Sequence, residues 1–559
     1  MFIADDPDEL IEKFVRPSDH VHLAATLSRP NALQRSLARV FYGQRSLTVS
    51  TAAIHASAHA LALSGCCSKV ITCFIGDTHP SPRPNPLYEN LRKDDPYEVE
   101  LWSLLTYTQR LIAGALGQPF AVTSSHLRGT YLGENKDRLI YDVSLGDGGQ
   151  VTLMRSLRPD IAFYHGVCAD RNGNIVLAHP YGEGAWAAFS SKRGVIASVE
   201  RIIDDVEDSG LAGHVSIPAN RVLGICQAKM GAHPNSLNST LDSIVDSYTD
   251  DYAHLEEIVK ACKSQESAEK WFKEWVLDGN YSNYLRKVLL SQRKSTPFEP
   301  PPSDRVGTSS SLSTNHLELS SIEKTIILGA REIVRKVKKN NHDLILAGIG
   351  SSHIATWLAI RQLSTEGCSA VYGAELGIVG NKIADCDKFL FSQQHSRKAQ
   401  YLAGIPEVLG GLVAANPNAL GVLSTAEIDD SGNLNTTLDM NGKWITGCGG
   451  ANDIASTTEC IVVGVASKRR FVEHSTCITS PGNNVRTVVT QFGVFRKNSD
   501  GVFVLRTYFD DGVVSPVEKL YDFVNWGKVK ISDDIEIESP ISPEEVIQLR
   551  AIINEESQC

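Results

Sequence analysis

Two short motifs occur twice in this chain, in one register. Ala169-Asp170-Arg171-Asn172-Gly173-Asn174 and Ile428-Asp429-Asp430-Ser431-Gly432-Asn433 both place Asp-x-x-Gly-Asn after an apolar run. Further on, Ser216-Ile217-Pro218-Ala219-Asn220-Arg221-Val222 is echoed by Thr479-Ser480-Pro481-Gly482-Asn483-Asn484-Val485. The offsets are 259 residues (170 to 429) and 263 (218 to 481). Alone, Asp-x-x-Gly-Asn is only a good turn, because Asp and Asn cap backbone amides and Gly takes positive φ. Two echoes at nearly one offset point to a duplicated unit. Between the copies lies Thr296–Asn315, which holds four prolines, five serines and three large apolar residues. That composition is a linker, stiff at first and then flexible. The chain therefore divides into residues 1–295, 296–315 and 316–559. Each flanking piece alternates helical patterns with short β-branched runs, the signature of an α/β fold around a largely parallel sheet.

Within the second piece, Cys368–Gly380 carries a single charge, Glu375, in an apolar run interrupted by glycines. An ionised carboxylate is costly to bury unless something pairs with it or uses it. Ala370–Tyr372 reads as a short strand, with Gly373, Gly377 and Gly380 letting the backbone turn around the acid. Two readings stand at this point: a structural loop glutamate after a buried strand, or a carboxylate presented for chemistry.

Charge and composition exclude several classes. A net charge of -11 argues against a dedicated nucleic-acid binder. The acidic start, Met1-Phe2-Ile3-Ala4-Asp5-Asp6, is no secretory signal, and no apolar run is long enough to span a bilayer. The twelve cysteines show no zinc-like rhythm, so reduced thiols and a cytoplasmic location are expected. At 559 residues, roughly 150 per domain suggests about three to four folding units.

Other elements follow from local pattern. Glu98–Gly117 reads as a helix with an apolar stripe that stops at Gly117-Gln118-Pro119. Tyr252–Trp275 reads as a charged surface helix, and Arg331–Lys339 as a solvated basic helix face. Asp343–Ala347 reads as a strand running into Gly348-Ile349-Gly350-Ser351-Ser352-His353 and a helix over Ile354–Gln362. The Gly-x-Gly turn lacks the third glycine of a dinucleotide fingerprint, and no P-loop follows. It still aims the amides of Ser351 and Ser352 at the end of the neighbouring strand. Thr446-Gly447-Cys448-Gly449-Gly450-Ala451-Asn452-Asp453 is a second loop: either a ligand approaches bare backbone there, or Asn452 or Asp453 caps the following helix. His55 and His59 have the i, i+4 spacing of two metal ligands but no evident third, and no metal is expected. Gly65-Cys66-Cys67 and Gly447-Cys448-Gly449 lack an adjacent basic partner that would activate a thiol.

Taken together, the chain resembles the class I coenzyme A-transferases of the glutaconate CoA-transferase type, with α-like and β-like subunits joined in that order. In the α-like half the resemblance rests on Ser28-Arg29-Pro30-Asn31-Ala32-Leu33, on Glu100-Leu101-Trp102 with Arg110–Phe120, on Ala169–Asn174, on Val199-Glu200-Arg201-Ile202-Ile203 and on Gly231-Ala232-His233-Pro234. In the β-like half it rests on Gly348-Ile349-Gly350, Glu375-Leu376-Gly377, Asp429–Asn435, Gly449–Ser456, Arg469-Arg470-Phe471-Val472-Glu473 and Thr479-Ser480-Pro481-Gly482.

The resemblance implies an enzyme with two related open α/β domains that moves CoA from an acyl-CoA to a free carboxylate. It implies Glu375 as nucleophile, with amides around Ser351, Ser352, Gly449, Gly450 and Ala451 as oxyanion or CoA donors. Ser28, Arg29 and Gly377 are expected at the substrate pocket. Coenzyme A is a substrate, with no permanently bound cofactor; the partners are small molecules, and a homodimer is a family-level expectation. An acyl-CoA hydrolase or a biosynthetic acyltransferase on the same fold is the alternative. One departure stands out: where the family carries a Gly-Gly-Phe-type turn shaping the acyl pocket, this chain reads His22–Pro30, which points away from a simple short dicarboxylate.

Overall fold

The computed structural model describes residues 1–292 and 319–553, apart from 147, 240, 242, 243, 511–515 and 528. The Pro/Ser-rich segment Thr296–Asn315 lies outside the described residues. The first half is built on eight parallel strands in the order Phe2–Ala4, Val222–Gln227, Gly194–Ile203, Ile161–Asp170, His20–Leu23, Leu47–Ser50, Cys67–Thr72, Glu98–Leu101. Parallel strands covered on both faces read as continuous apolar runs, and every residue of Ile161–Asp170 is buried.

The second half repeats this plan. Its parallel strands lie in the order Val485–Thr490, Glu459–Val463, Ala419–Leu423, Leu344–Ala347, Val371–Ala374. The same sequence of roles appears in the first half as Val222–Gln227, Gly194–Ile203, Ile161–Asp170, His20–Leu23 and Leu47–Ser50. Even an irregularity recurs. The register slips between Val195 and Ile196 against Val222–Gln227, and between Cys460 and Ile461 against Val485–Thr490. Antiparallel strands extend the second sheet on both sides, Ile378–Gly380 and Tyr401–Leu402 on one, Gly493–Lys497 and Phe503–Tyr508 on the other.

The echoed motifs form one device twice. Asp170 Oδ1 accepts from the amides of Gly173 and Asn174 at 2.7 and 2.8 Å, and Asn174 Oδ1 accepts from the Ala219 amide at 3.0 Å. Asp429 Oδ1 accepts from the amides of Ser431 and Asn433 at 3.0 and 2.8 Å, and Asn433 Oδ1 accepts from the Gly482 amide at 2.9 Å. Each half thus ties its first echo to its second.

Helix ends follow the capping rules. Ser320 caps Ser321–Asn340, with Glu323 reaching back in a capping box and Asn341 closing the helix in the left-handed region. Gly350, at φ 120°, precedes Ser351–Thr365, so that helix starts three residues earlier than its apolar pattern indicates. Glu98–Leu101 is the edge strand of the first sheet and the helix begins only at Leu104, because Ser103 caps it with Thr106. Tyr252–Trp275 is two helices, Tyr252–Ala261 and Gln265–Phe272, broken where Ser264 caps the second. Ile258, Trp271 and Phe272 pack with Ala38 and Ala60, so one face of this charged pair is core. The basic face of Arg331–Lys339 is partly paired: Arg331 Nε donates to Glu545 at 2.7 Å and Arg335 Nη2 to Glu538 at 2.6 Å.

Candidate active site

The carboxyl ends of adjacent parallel strands open toward one place. Leu344–Ala347 ends in Gly348-Ile349-Gly350-Ser351, and its neighbour Val371–Ala374 ends in Glu375. Loops at the carboxyl ends of an open α/β sheet are where ligands bind. Here those ends border a cavity of about 1440 Å³ that both halves line. Glu375 reaches it half-buried.

Glu375 is held by one amide. Its Oε2 accepts from the Gly450 N–H at 3.0 Å, at the start of the helix Ala451–Thr457. A side chain at 450 would place its Cβ 2.4 Å from that oxygen, so only glycine lets the carboxylate approach. Burial pushes the Glu375 carboxyl up to about 7; the Gly450 hydrogen bond opposes this and the nearby Asp453 charge adds to it. The turn after it needs Gly377, at φ 117°, because a Cβ there would sit 2.1 Å from the Ala403 carbonyl oxygen.

The glycine loop belongs to the second half but is built onto the first. Gly449 donates its amide to Cys73 O at 3.0 Å and accepts from the Leu104 amide at 3.0 Å, while Ile75 N–H donates to Thr446 O at 2.7 Å. Asp453, one turn into the following helix, accepts from Ser103 Oγ and Ser125 Oγ at 2.6 Å each and from the Leu105 amide at 3.0 Å. Neither Asn452 nor Asp453 caps its own helix: Gly450 holds the N-cap position. The Asp453 carboxylate instead completes the N-terminus of Leu104–Ala115 across the seam.

Residues 4–228 match the family model for coenzyme A transferase. That match lies within the first half of the chain. It is 26% identical over 230 residues to a 3-oxoadipate CoA-transferase subunit of Pseudomonas knackmussii, covering 41% of this chain and 79% of that relative. An uncharacterized protein of Archaeoglobus fulgidus is 28% identical over 209 residues, covering 36% of this chain and 44% of its own length. Among solved structures, the acyl-CoA transferase of Escherichia coli O157:H7, in a thioester complex with CoA, superposes with a TM-score of 0.65 at 16% identity, covering 99% of this chain and 96% of that one. That likeness shows the fold, two units of parallel sheet flanked by helices running nearly the full length of both chains.

Of the residues singled out from the sequence, the structure gathers Glu375, Ser351, Gly449, Gly450 and Ala451. Glu375, Ser351, Gly449 and Ala451 line the cavity, and Gly450 touches Glu375. Ser352 is turned away from it: its amide donates to Ser424 Oγ at 3.1 Å and its hydroxyl to Gly348 O at 2.5 Å. The Ala451 amide is likewise engaged, donating to Cys448 O at 3.0 Å. Ser28 and Arg29 are buried framework, with Ser28 Oγ donating to Ser236 O at 3.2 Å and Arg29 Nη1 to Ala53 O at 2.9 Å. Gly377 supports the turn and does not face the cavity. His59 is a satisfied core histidine between Tyr88 and Asp77, and among the described residues no cluster of three His, Cys, Asp or Glu could hold a metal.

Three features of the site have no role assigned from the sequence. One wall of the cavity is the segment Thr78–Pro86 of the first half, with proline at every second position from Pro80 to Pro86. That spacing, visible in the sequence, fixes φ at each proline and makes a stiff wall. The same cavity is lined by the exposed Lys468 and Arg469, of which the sequence offers only Arg469, and that only as part of a family motif. His353 also faces the cavity; its Nδ1 accepts from the Gly350 amide at 2.8 Å, its Nε2–H donates to Lys388 O at 3.0 Å, and burial lowers it to about 3, so it stays neutral.

Proposed function

We propose that this protein transfers CoA from an acyl-CoA to a free carboxylate by covalent catalysis at Glu375. The carboxylate attacks the thioester carbonyl, forming an acyl-glutamyl anhydride and expelling the CoA thiolate. The thiolate attacks the glutamyl carbonyl of that anhydride, releasing the first carboxylate and leaving a glutamyl-CoA thioester. The acceptor carboxylate repeats the two steps in reverse, regenerating Glu375 and a new acyl-CoA. Thioester energy is conserved throughout, so no nucleotide or metal enters, and the kinetics are ping-pong. The observation that carries this reading is Glu375, a carboxyl in the cavity between the halves with one backbone donor and a proton affinity raised toward neutrality.

The surrounding residues fit the roles this chemistry demands. The Gly450 amide, with that of Ser351 at the start of a 15-residue helix, is the candidate donor for oxyanions; one such donor is worth roughly 3–4 kcal/mol in comparable sites. Lys468 and Arg469 at the cavity mouth suit the phosphates of CoA, which an acidic chain would otherwise repel. The Pro80–Pro86 wall offers a preformed surface to the pantetheine arm, limiting what ordering costs on binding. We read residues 1–295 and 316–559 as α-like and β-like subunits in one chain, in keeping with the repeated sheet.

The test is to incubate the protein with an acyl-CoA, treat it with borohydride, and sequence the peptide spanning residue 375 by mass spectrometry. A reduced glutamyl side chain at 375 is expected, and Glu375→Ala should abolish exchange. Full exchange by Glu375→Ala would overturn the mechanism. Product identity separates transfer from hydrolysis, because only transfer yields a new acyl-CoA.

A further inference from the structure

We propose that Asp453 is a positioning residue for Glu375, the side chain through which the first half of the chain, alongside its backbone bonds to the glycine loop, holds and conditions the nucleophile. This rests on the reading of Glu375 above and adds a residue and a role to it. The geometry is a short relay. Asp453 sits three residues after Gly450, whose amide donates to Glu375 Oε2 at 3.0 Å. Its carboxylate is buried and takes all three of its hydrogen bonds from the first half: Ser103 Oγ, Ser125 Oγ and Leu105 N–H. A carboxylate is a poor choice for mere packing at a buried seam, where apolar residues of like volume are as stable or more so. What a carboxylate does there, and an apolar group cannot, is tie the first turn of the helix that follows Gly450 to Ser103, Ser125 and Leu105 and place a charge near Glu375.

The groups facing Glu375 support this division of labour. Cys73 from the first half and Cys448 from the glycine loop are buried thiols whose burial raises them, so neither carries charge near neutrality. Asp453 is a charged neighbour that raises Glu375, whereas Lys468 and Arg469 on the same cavity are exposed to solvent. Burial brings Asp453 itself up to about 6, against the pull of Ser103, Ser125 and the Leu105 amide. An ionised Asp453 holds the proton on Glu375 to higher pH. A nucleophile of higher basicity attacks a thioester more readily, provided enough of it is ionised.

The experiment compares wild type, Asp453→Asn and Asp453→Ser, with Glu375→Gln used to assign the signal. Titration of the Glu375 carboxyl is followed by pH-difference infrared spectroscopy of the unliganded protein, alongside the pH profile of kcat/KM. Both Asp453 variants are expected to move the Glu375 titration and the acid limb to lower pH by roughly half a unit or more. Plateau kcat should fall roughly tenfold to a hundredfold as the Gly450 amide loses its anchor. Asp453→Ser, the smaller side chain, covers the case in which the asparagine misfolds. A Glu375 titration that stays at the wild-type pH in a folded variant, with plateau kcat unchanged, would overturn the proposal. The infrared titration reports on Glu375 whether or not the enzyme turns over. Retained activity in Glu375→Gln would therefore sink the covalent mechanism without deciding the role of Asp453.

Discussion

The two halves use one plan and place their buried acids differently. In each, the helix after the first central strand leads into a second strand, Leu47–Ser50 or Val371–Ala374. After that strand the first half continues with Thr51 and the second with Glu375. The loop before the short helix differs in the opposite sense. Gly447–Gly450 carries no acid, whereas the first half carries Glu183 between Gly182 and Gly184. Glu183 is fully buried, bonded to His22 Nε2 and accepting from the Ala25 amide at 3.0 Å, and the His22 ring also meets Ser50 Oγ at 3.0 Å and Tyr107 OH at 3.2 Å. The second half has a carboxylate on the strand and an empty loop facing a cavity. The first has a carboxylate on the loop, closed in by its own side chains. One framework thus supports an acid that opens onto a cavity on one side and an enclosed, structural one on the other.

That contrast can be broken most decisively by treating the two acids alike. Glu375→Ala should lower exchange by about 10³-fold or more, given what removing a covalent nucleophile costs, while leaving thermal stability nearly unchanged. Glu183→Ala should do the reverse, costing about 1–3 kcal/mol in denaturant unfolding by stranding the Ala25 amide and His22 and sparing kcat to within about tenfold. Gly450→Ala comes next. Its Cβ would collide with Glu375 Oε2, and a displaced nucleophile should cost kcat about 10²-fold with little loss of stability. The pH profile sharpens the comparison further. Glu375 must be ionised to attack and its carboxyl is raised to about 7, so kcat/KM should fall as pH drops through that value, about tenfold per unit below it. The smallest effect tests the shared plan. Asp170→Ala and Asp429→Ala each remove the acceptor of a tight turn and should each cost about 1–3 kcal/mol; widely unequal losses would show that the two clamps are not equivalent.

Much of this was legible in residues close together in sequence. The Asp-x-x-Gly-Asn echoes, the capping box at Ser320 and Glu323 and the strand before Glu375 are local, set by turn chemistry, capping and apolar runs. The catalytic candidate was legible for the same reason, as a lone charge in an apolar, glycine-rich stretch. Boundaries erred where a local signal was outvoted. Glu98–Leu101 has helix-compatible residues but pairs as an edge strand with Cys67–Thr72. The placing of Ser28 and Arg29 as framework, and the loss of the Ser352 amide to Ser424, depend on partners 208, 24 and 72 residues away, which no window of sequence contains.

What the sequence determined by itself is the pair of related α/β units, the parallel cores and an acid placed where a strand ends, because alternation, capping and turn preferences act over a few residues. What only the tertiary structure decided is what surrounds that acid. The Gly450 amide, the Asp453 anchor, the proline wall and the cavity come from opposite halves, and they meet through hydrogen bonds across a seam whose partners lie hundreds of residues apart. Burial at that seam, a property of the assembled fold, raises the proton affinity of Glu375 toward neutrality.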